Sequence, residues 1–175
     1  METKNNINNI FLIGFSGSGK SKIGKTLSKV LNFTFIDTDR KIEQIKQKKI
    51  HEIIEEYGEK YFREFETEIL QKIDYKKKDL VIATGGGVPT INENNIIMKS
   101  NGIIIWLDTS LSVIKSRLKG TNEIRPLLGK NINSTEVTEM YENRKKNYNI
   151  ANIKIDTSKK NVNQIVEEIK DKLNE

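Results

Sequence analysis

Five short apolar runs punctuate the chain, at residues 10–13, 33–36, 80–83, 103–107 and 153–155. They are rich in Ile, Val and Phe, the pattern of strands buried on both faces. Between them the spacing turns helical. Ile23, Leu27, Val30 and Leu31 form one stripe, Phe62, Phe65, Ile69 and Ile73 a second, and Val162, Ile165, Val166, Ile169 and Leu173 a third. Strands alternating with helices predict an α/β fold: three layers, a five-stranded parallel sheet with helices on both faces. No repeat, low-complexity tract or Pro/Gly/Ser linker divides the 175 residues, so one domain is expected. In such sheets ligands bind outside the carboxyl ends of the strands. The residues just after each run are therefore the ones that carry chemistry.

After the first run comes GFSGSGKS, residues 14–21, which fits G-x-x-x-x-G-K-[ST] between a strand and a helix. Glycines let the backbone turn tightly, so several N–H groups point inward, and the helix N-terminus adds the positive end of its dipole. Lys20 supplies a mobile charge for β- and γ-phosphates, and the Ser21 hydroxyl is a magnesium ligand. A nucleoside triphosphate is the expected ligand, and the phosphoryl acceptor is the open question.

After the second run, Asp37 and Asp39 stand two residues apart. One can hold a magnesium shell while the other faces an acceptor hydroxyl; the plain alternative is that one caps the next helix. After the third run, Thr84 is followed by Gly85, Gly86 and Gly87, which would let a ligand approach the backbone closely. No Asp ends that strand, which favours Asp37 as the magnesium-side carboxylate. Arg63 sits beside an apolar stripe and is either paired with Glu66 across i,i+3 or aimed into a site. Tyr141, Arg144 and Tyr148 share one helix face. Two arginine forks would suit a small carboxylic acid, though spacing alone leaves both arginines open. Residues 117–129 are polar, bracketed by glycines and aperiodic, and read as a mobile lid whose arginine can swing over a γ-phosphate.

Composition narrows the field. Cysteine is absent and His51 is the only histidine, so disulfides, thiol nucleophiles and a zinc site are not expected. His51 reads as a surface or capping residue and Trp106 as core. No run approaches the length of a membrane span, and no apolar leader precedes the first strand, so a cytoplasmic protein with no membrane partner is expected. Net charge is +6 and the pI about 9.3. The lysines are scattered, the longest basic run being residues 76–78, so no nucleic-acid partner is expected.

Taken in order, GFSGSGKS, DTD (37–39), GEKYFREFE (58–66), ATGGGVP (83–89), RPLL (125–128) and YENRKKNY (141–148) resemble the shikimate kinase family over roughly residues 9–173. That family is similar to the nucleoside monophosphate kinases, with a phosphate loop, a substrate-binding helical segment (here about 38–66) and a lid (about 117–132). The resemblance implies phosphoryl transfer from ATP to the 3-hydroxyl of shikimate, with Mg²⁺ as cofactor and a monomer as the working form. It implies that Gly17, Ser18, Gly19, Lys20 and Ser21 hold the ATP phosphates, with Ser21 on magnesium and Asp37 supporting the ion through water. Asp39 would bind the shikimate hydroxyls and serve as candidate base. Arg63 and Arg144 would clamp the carboxylate, with Gly85, Gly86 and Gly87 lining the site. Arg125 would be the lid arginine, and Arg117 and Lys159 would flank adenine. Gluconate kinase, a nucleoside monophosphate kinase and a nucleotide-dependent nucleic-acid-binding module are the competing readings. The paired arginines and the glycine triplet favour shikimate.

Overall fold

Five strands, β1 (Asn9–Ile13), β2 (Thr34–Asp37), β3 (Leu80–Ala83), β4 (Ile103–Asp108) and β5 (Ile153–Asp156), pair in parallel in the order β2-β3-β1-β4-β5. The structure is a computed structural model that describes residues 9–119 and 135–175. Three strands run one residue past their apolar runs, to Asp37, Asp108 and Asp156, because backbone pairing continues there. Asp37 stands level with Ala83, and Asp108 with Asp156. The chain leaves β1 toward the β2 edge and β4 toward the β5 edge. The connections thus diverge around β1 and open a crevice at the carboxyl ends.

The helices are α1 (Lys20–Leu31), α2 (Thr38–Lys46), α3 (Ile50–Gln71), α4 (Asn92–Asn101), α5 (Leu111–Lys119), α6 (Thr135–Asn147) and α7 (Val162–Asn174). Successive strand side chains point to opposite faces. In β1, Ile10 and Leu12 therefore join Ile23 and Leu27 of α1 and Ile165, Val166 and Ile169 of α7. Phe11 and Ile13 join the other layer, with Leu70 of α3, Met98 of α4, Ile114 of α5 and Tyr141 of α6. A third, smaller core of Ile42, Ile53, Phe62, Phe65 and Ile69 packs α2 against α3.

The helical stripes hold with two adjustments. Val30 is 48% exposed, because α1 has only one face on the sheet. Ile73 is buried but lies past the end of α3. Gly58 breaks α3 with φ +86°, a conformation that suits glycine, so the expected substrate-binding segment is two helices with a kink in the second. Residues 117–119 of the expected lid are the last turn of α5. The remainder of that lid, including Arg125, lies outside the described residues. Among the described residues no helix is long and apolar enough to cross a membrane.

Candidate active site

The loop between β1 and α1 is shaped by three glycines with positive φ: Gly14, Gly17 and Gly19. Gly19 is the N-cap of α1 and offers no side chain to cap it. Helix starts normally satisfy their leading N–H groups with a capping side chain, and here no side-chain hydrogen bond caps them, as at helix starts that receive an anion. Lys20 is buried, and its Nζ donates to the carbonyls of Gly14 at 2.7 Å and Phe15 at 3.0 Å. The ammonium thus lies across the loop it belongs to. Ser18 is buried, while Ser21 is exposed in the first turn of α1. Arg117 reaches over from α5 and donates from Nη1 to the carbonyls of Gly17 (3.3 Å) and Ser18 (3.2 Å). Lys159 is exposed in the turn after β5.

Across the crevice the glycine triplet after β3 does something the sequence did not indicate. Its openness admits the protein's own side chains. A Cβ at Gly85 would stand 2.2 Å from Glu66 Oε1 and 2.8 Å from Asp39 Oδ1. One at Gly87 would stand 2.4 Å from Arg63 Nη1. One at Gly86 would stand 3.1 Å from the Ser16 amide nitrogen and 3.6 Å from Arg144 Nη1. The three glycines are therefore the floor on which Glu66, Asp39, Arg63 and Arg144 lie, and Gly86 is where that floor meets the phosphate loop.

Arg63 is both paired and in the site. Its Nη1 donates to Glu66 Oε2 at 2.5 Å, and its Nη2 and Nε donate to Glu59 Oε1 at 3.0 and 3.3 Å. Burial acts to lower its pKa, and the charges of Glu66 and Glu59 outweigh that, raising it overall. Arg144, 9% exposed, stands over the Phe15 ring at 5.5 Å. It makes no hydrogen bond or ion pair among the described residues. Burial lowers its pKa, and the neighbouring Arg63 charge adds to that. A buried guanidinium without an ion partner is costly, and such groups collect at functional sites. Two arginines thus converge on the glycine triplet.

Asp37 accepts from the Arg40 backbone N–H at 3.2 Å and so caps α2, while Asp39 lies in that helix's first turn. The capping alternative thus describes Asp37, whose carboxylate remains half-exposed at the end of β2. Among the described residues no cluster of three or more His, Cys, Asp or Glu could hold a metal alone. Magnesium fits such a site when carried in by phosphates, because it binds through one or two protein oxygens plus substrate. Ser21 and Asp37 have the chemistry for that.

The sequence reading passed over Thr38 and named Tyr148 and Glu66 without assigning them a place in the site. Thr38, fully buried, accepts from the Gly85 N–H at 3.2 Å. Tyr148 donates to the Gly86 carbonyl at 2.7 Å, so it anchors the glycine loop and is not aimed at a ligand. Glu66 is 1% exposed, and burial pushes its carboxyl up to about 7, with Arg63 opposing and Asp39 adding to the rise. Its place three residues after Arg63 was the one available signal. Trp106 is core, 5% exposed, and His51 lies half-buried in the first turn of α3.

The described geometry has close counterparts. A sequence model of the family described as shikimate kinase matches residues 16–174. A shikimate kinase of Persephonella marina is 48% identical over 161 residues, covering 92% of this chain and 96% of that protein. A solved structure of shikimate kinase from Acinetobacter baumannii in complex with shikimate superposes with a TM-score of 0.89. It is 30% identical and covers 95% of this chain and 93% of that one. A gluconokinase from Sinorhizobium meliloti has a TM-score of 0.61 at 15% identity, covering 96% and 92%, a likeness of fold alone.

Proposed function

The chain belongs to the shikimate kinase family, and from that premise we propose that it transfers the γ-phosphoryl group of ATP to the 3-hydroxyl of shikimate, giving shikimate 3-phosphate and ADP. The observation that carries the site assignment is the position of Gly86, in contact range of both the phosphate loop at Ser16 and the guanidinium of Arg144. An anion clamp and a phosphate cradle thus adjoin across one residue.

In this proposal the amides of Gly17, Ser18 and Gly19 and the open start of α1 hold the triphosphate. Lys20 exchanges its two loop carbonyls for the transferring group. Arg63 and Arg144 bind the shikimate carboxylate, and Asp39 orients the hydroxyl that attacks and accepts its proton. Gly85, Gly86 and Gly87 form the wall against which the ring lies. Phosphoryl transfer depends mainly on positioning and on stabilising charge spread over the transferring group. Ser21, directly, and Asp37, through water, would hold Mg²⁺, which would supply positive charge against the phosphates. Arg117, beside the loop, and Lys159, after β5, would flank adenine. Residues 117–132 would close as a lid carrying Arg125 over the γ-phosphate, and residues 1–175 would act as one kinase domain.

The test is ADP release from Mg·ATP with shikimate, set beside gluconate, AMP and no acceptor. Turnover that depends on shikimate supports the proposal. Equal turnover with AMP or without an acceptor would leave the phosphate loop standing and remove the carboxylate clamp, while equal turnover with gluconate, itself a carboxylate, would remove shikimate as the preferred acceptor.

A further inference from the structure

Glu66 occupies an uncomfortable position. Its carboxyl group is 1% exposed. One oxygen, Oε2, accepts from Arg63 Nη1 at 2.5 Å, and the other, Oε1, is buried with no hydrogen-bond partner among the described residues. That orphan oxygen lies over Gly85 on the same side as Asp39 Oδ1. A buried acceptor left without a donor is costly for a carboxylate and far less so for a carboxylic acid, whose second oxygen carries a proton.

The arginine Glu66 holds is also the one that faces the anion. If Glu66 is ionised, its charge already offsets the Arg63 guanidinium, and an incoming carboxylate meets a half-neutralised partner. If Glu66 is protonated, the positive charge of Arg63 is left for the ligand. An anion placed on Arg63 and Arg144 adds a like charge close to Glu66, which further favours its neutral form.

We propose that Glu66 takes up a proton when a carboxylate binds the Arg63–Arg144 pair, so that acceptor binding at this site is coupled to protonation of the enzyme. The proposal rests on the clamp assignment above. The charged groups acting on Glu66 are Asp39 from α2, Arg63 from α3 and Arg144 from α6, with Glu59 of α3 on the far side of Arg63, while the glycine loop offers only backbone. Burial, helped by Asp39 and opposed by Arg63 and Arg144, brings the Glu66 carboxyl to about 7, so the transition falls in an accessible range. Glu66 acts here as a positioning residue, through Arg63.

The experiment is isothermal titration of shikimate into the full chain at pH 7.5, in two buffers of different ionisation enthalpy, with shikimate methyl ester as the uncharged comparison. The expected result is uptake of a substantial fraction of one proton per shikimate. Uptake should fall toward zero at pH 5.5, where Glu66 is already protonated, and be absent with the ester. Glu66→Gln should bind shikimate with no proton uptake and with an affinity independent of pH between 6 and 8.5. Over the same range wild-type affinity should fall with rising pH, by at most about tenfold per pH unit for one linked proton. Unchanged proton uptake in Glu66→Gln overturns the proposal, as does wild-type binding whose heat does not depend on the buffer. Should Glu66→Gln fail to fold, the buffer and ester comparisons on wild type still decide. No binding of shikimate by the wild type would instead mean that the clamp assignment itself is wrong.

Discussion

The guanidinium of Arg63 lies directly on the backbone of Gly87, where even one added carbon would stand 2.4 Å from Nη1 and 2.5 Å from Cζ. Gly87 has the space of a glycine for the sake of that arginine. Its φ of −98° is open to any residue. Gly87→Ala should therefore fold, because the colliding atoms are the far end of a flexible side chain, and should push Arg63 off its seat. Losing a charge-assisted contact of about 1.5–3 kcal/mol raises KM for shikimate roughly 10- to 100-fold. KM for ATP should change little. Steady-state kinetics against each substrate checks the split, and an unaltered KM for shikimate would separate Arg63 from the acceptor.

Lys20→Met keeps the aliphatic stem and removes the charge that the loop carbonyls of Gly14 and Phe15 hold. We expect kcat to fall by at least about 10²-fold, the scale on which single preorganised charge-stabilising groups act. The circular dichroism spectrum should be retained. Turnover close to wild type would mean that another cation carries the transferring phosphate.

Arg144 offers a stability test of function. It is 9% exposed and, among the described residues, has no ion partner. Replacing a buried charge by an apolar side chain of similar length is neutral or stabilising when the charge serves no structural pair. Arg144→Met should thus unfold at the same denaturant midpoint as wild type or a higher one, while binding shikimate much more weakly. A drop of several kcal/mol in stability would assign Arg144 to structure.

Glu66 sets a pH window for folding. Its carboxyl rises from an ordinary 4.5 to about 7 in the fold. The native state therefore holds a proton that the unfolded state has released between these values. The stabilisation is fully present below about pH 4.5 and is lost as pH rises through about 7, an effect on the order of 3 kcal/mol. Glu66→Gln should lack this slope and gain stability over wild type between pH 5 and 8. Urea midpoints at both pH values measure it, and parallel curves for the two proteins would show that Glu66 is not the group responsible.

How much of this was legible beforehand divides along a physical line. The sequence by itself determined the strands, the helical stripes and the phosphate loop, because each rests on local periodicity or on contiguous residues that fold together. GFSGSGKS needs only its own glycines and the helix after it. Arg63, Glu66, Asp39, Arg144 and the glycine triplet come from four separate stretches of chain. Their spacing left open whether either arginine entered a site, and only family resemblance joined them. Tertiary structure decided that Arg63 both pairs with Glu66 and seats on Gly87, that Asp37 caps α2, and that Tyr148 holds the glycine loop. It also left one oxygen of Glu66 buried without a donor among the described residues. Such facts depend on which side chains the parallel pairing of β2 with β3 brings over one backbone turn, and distance along the chain carries no record of that.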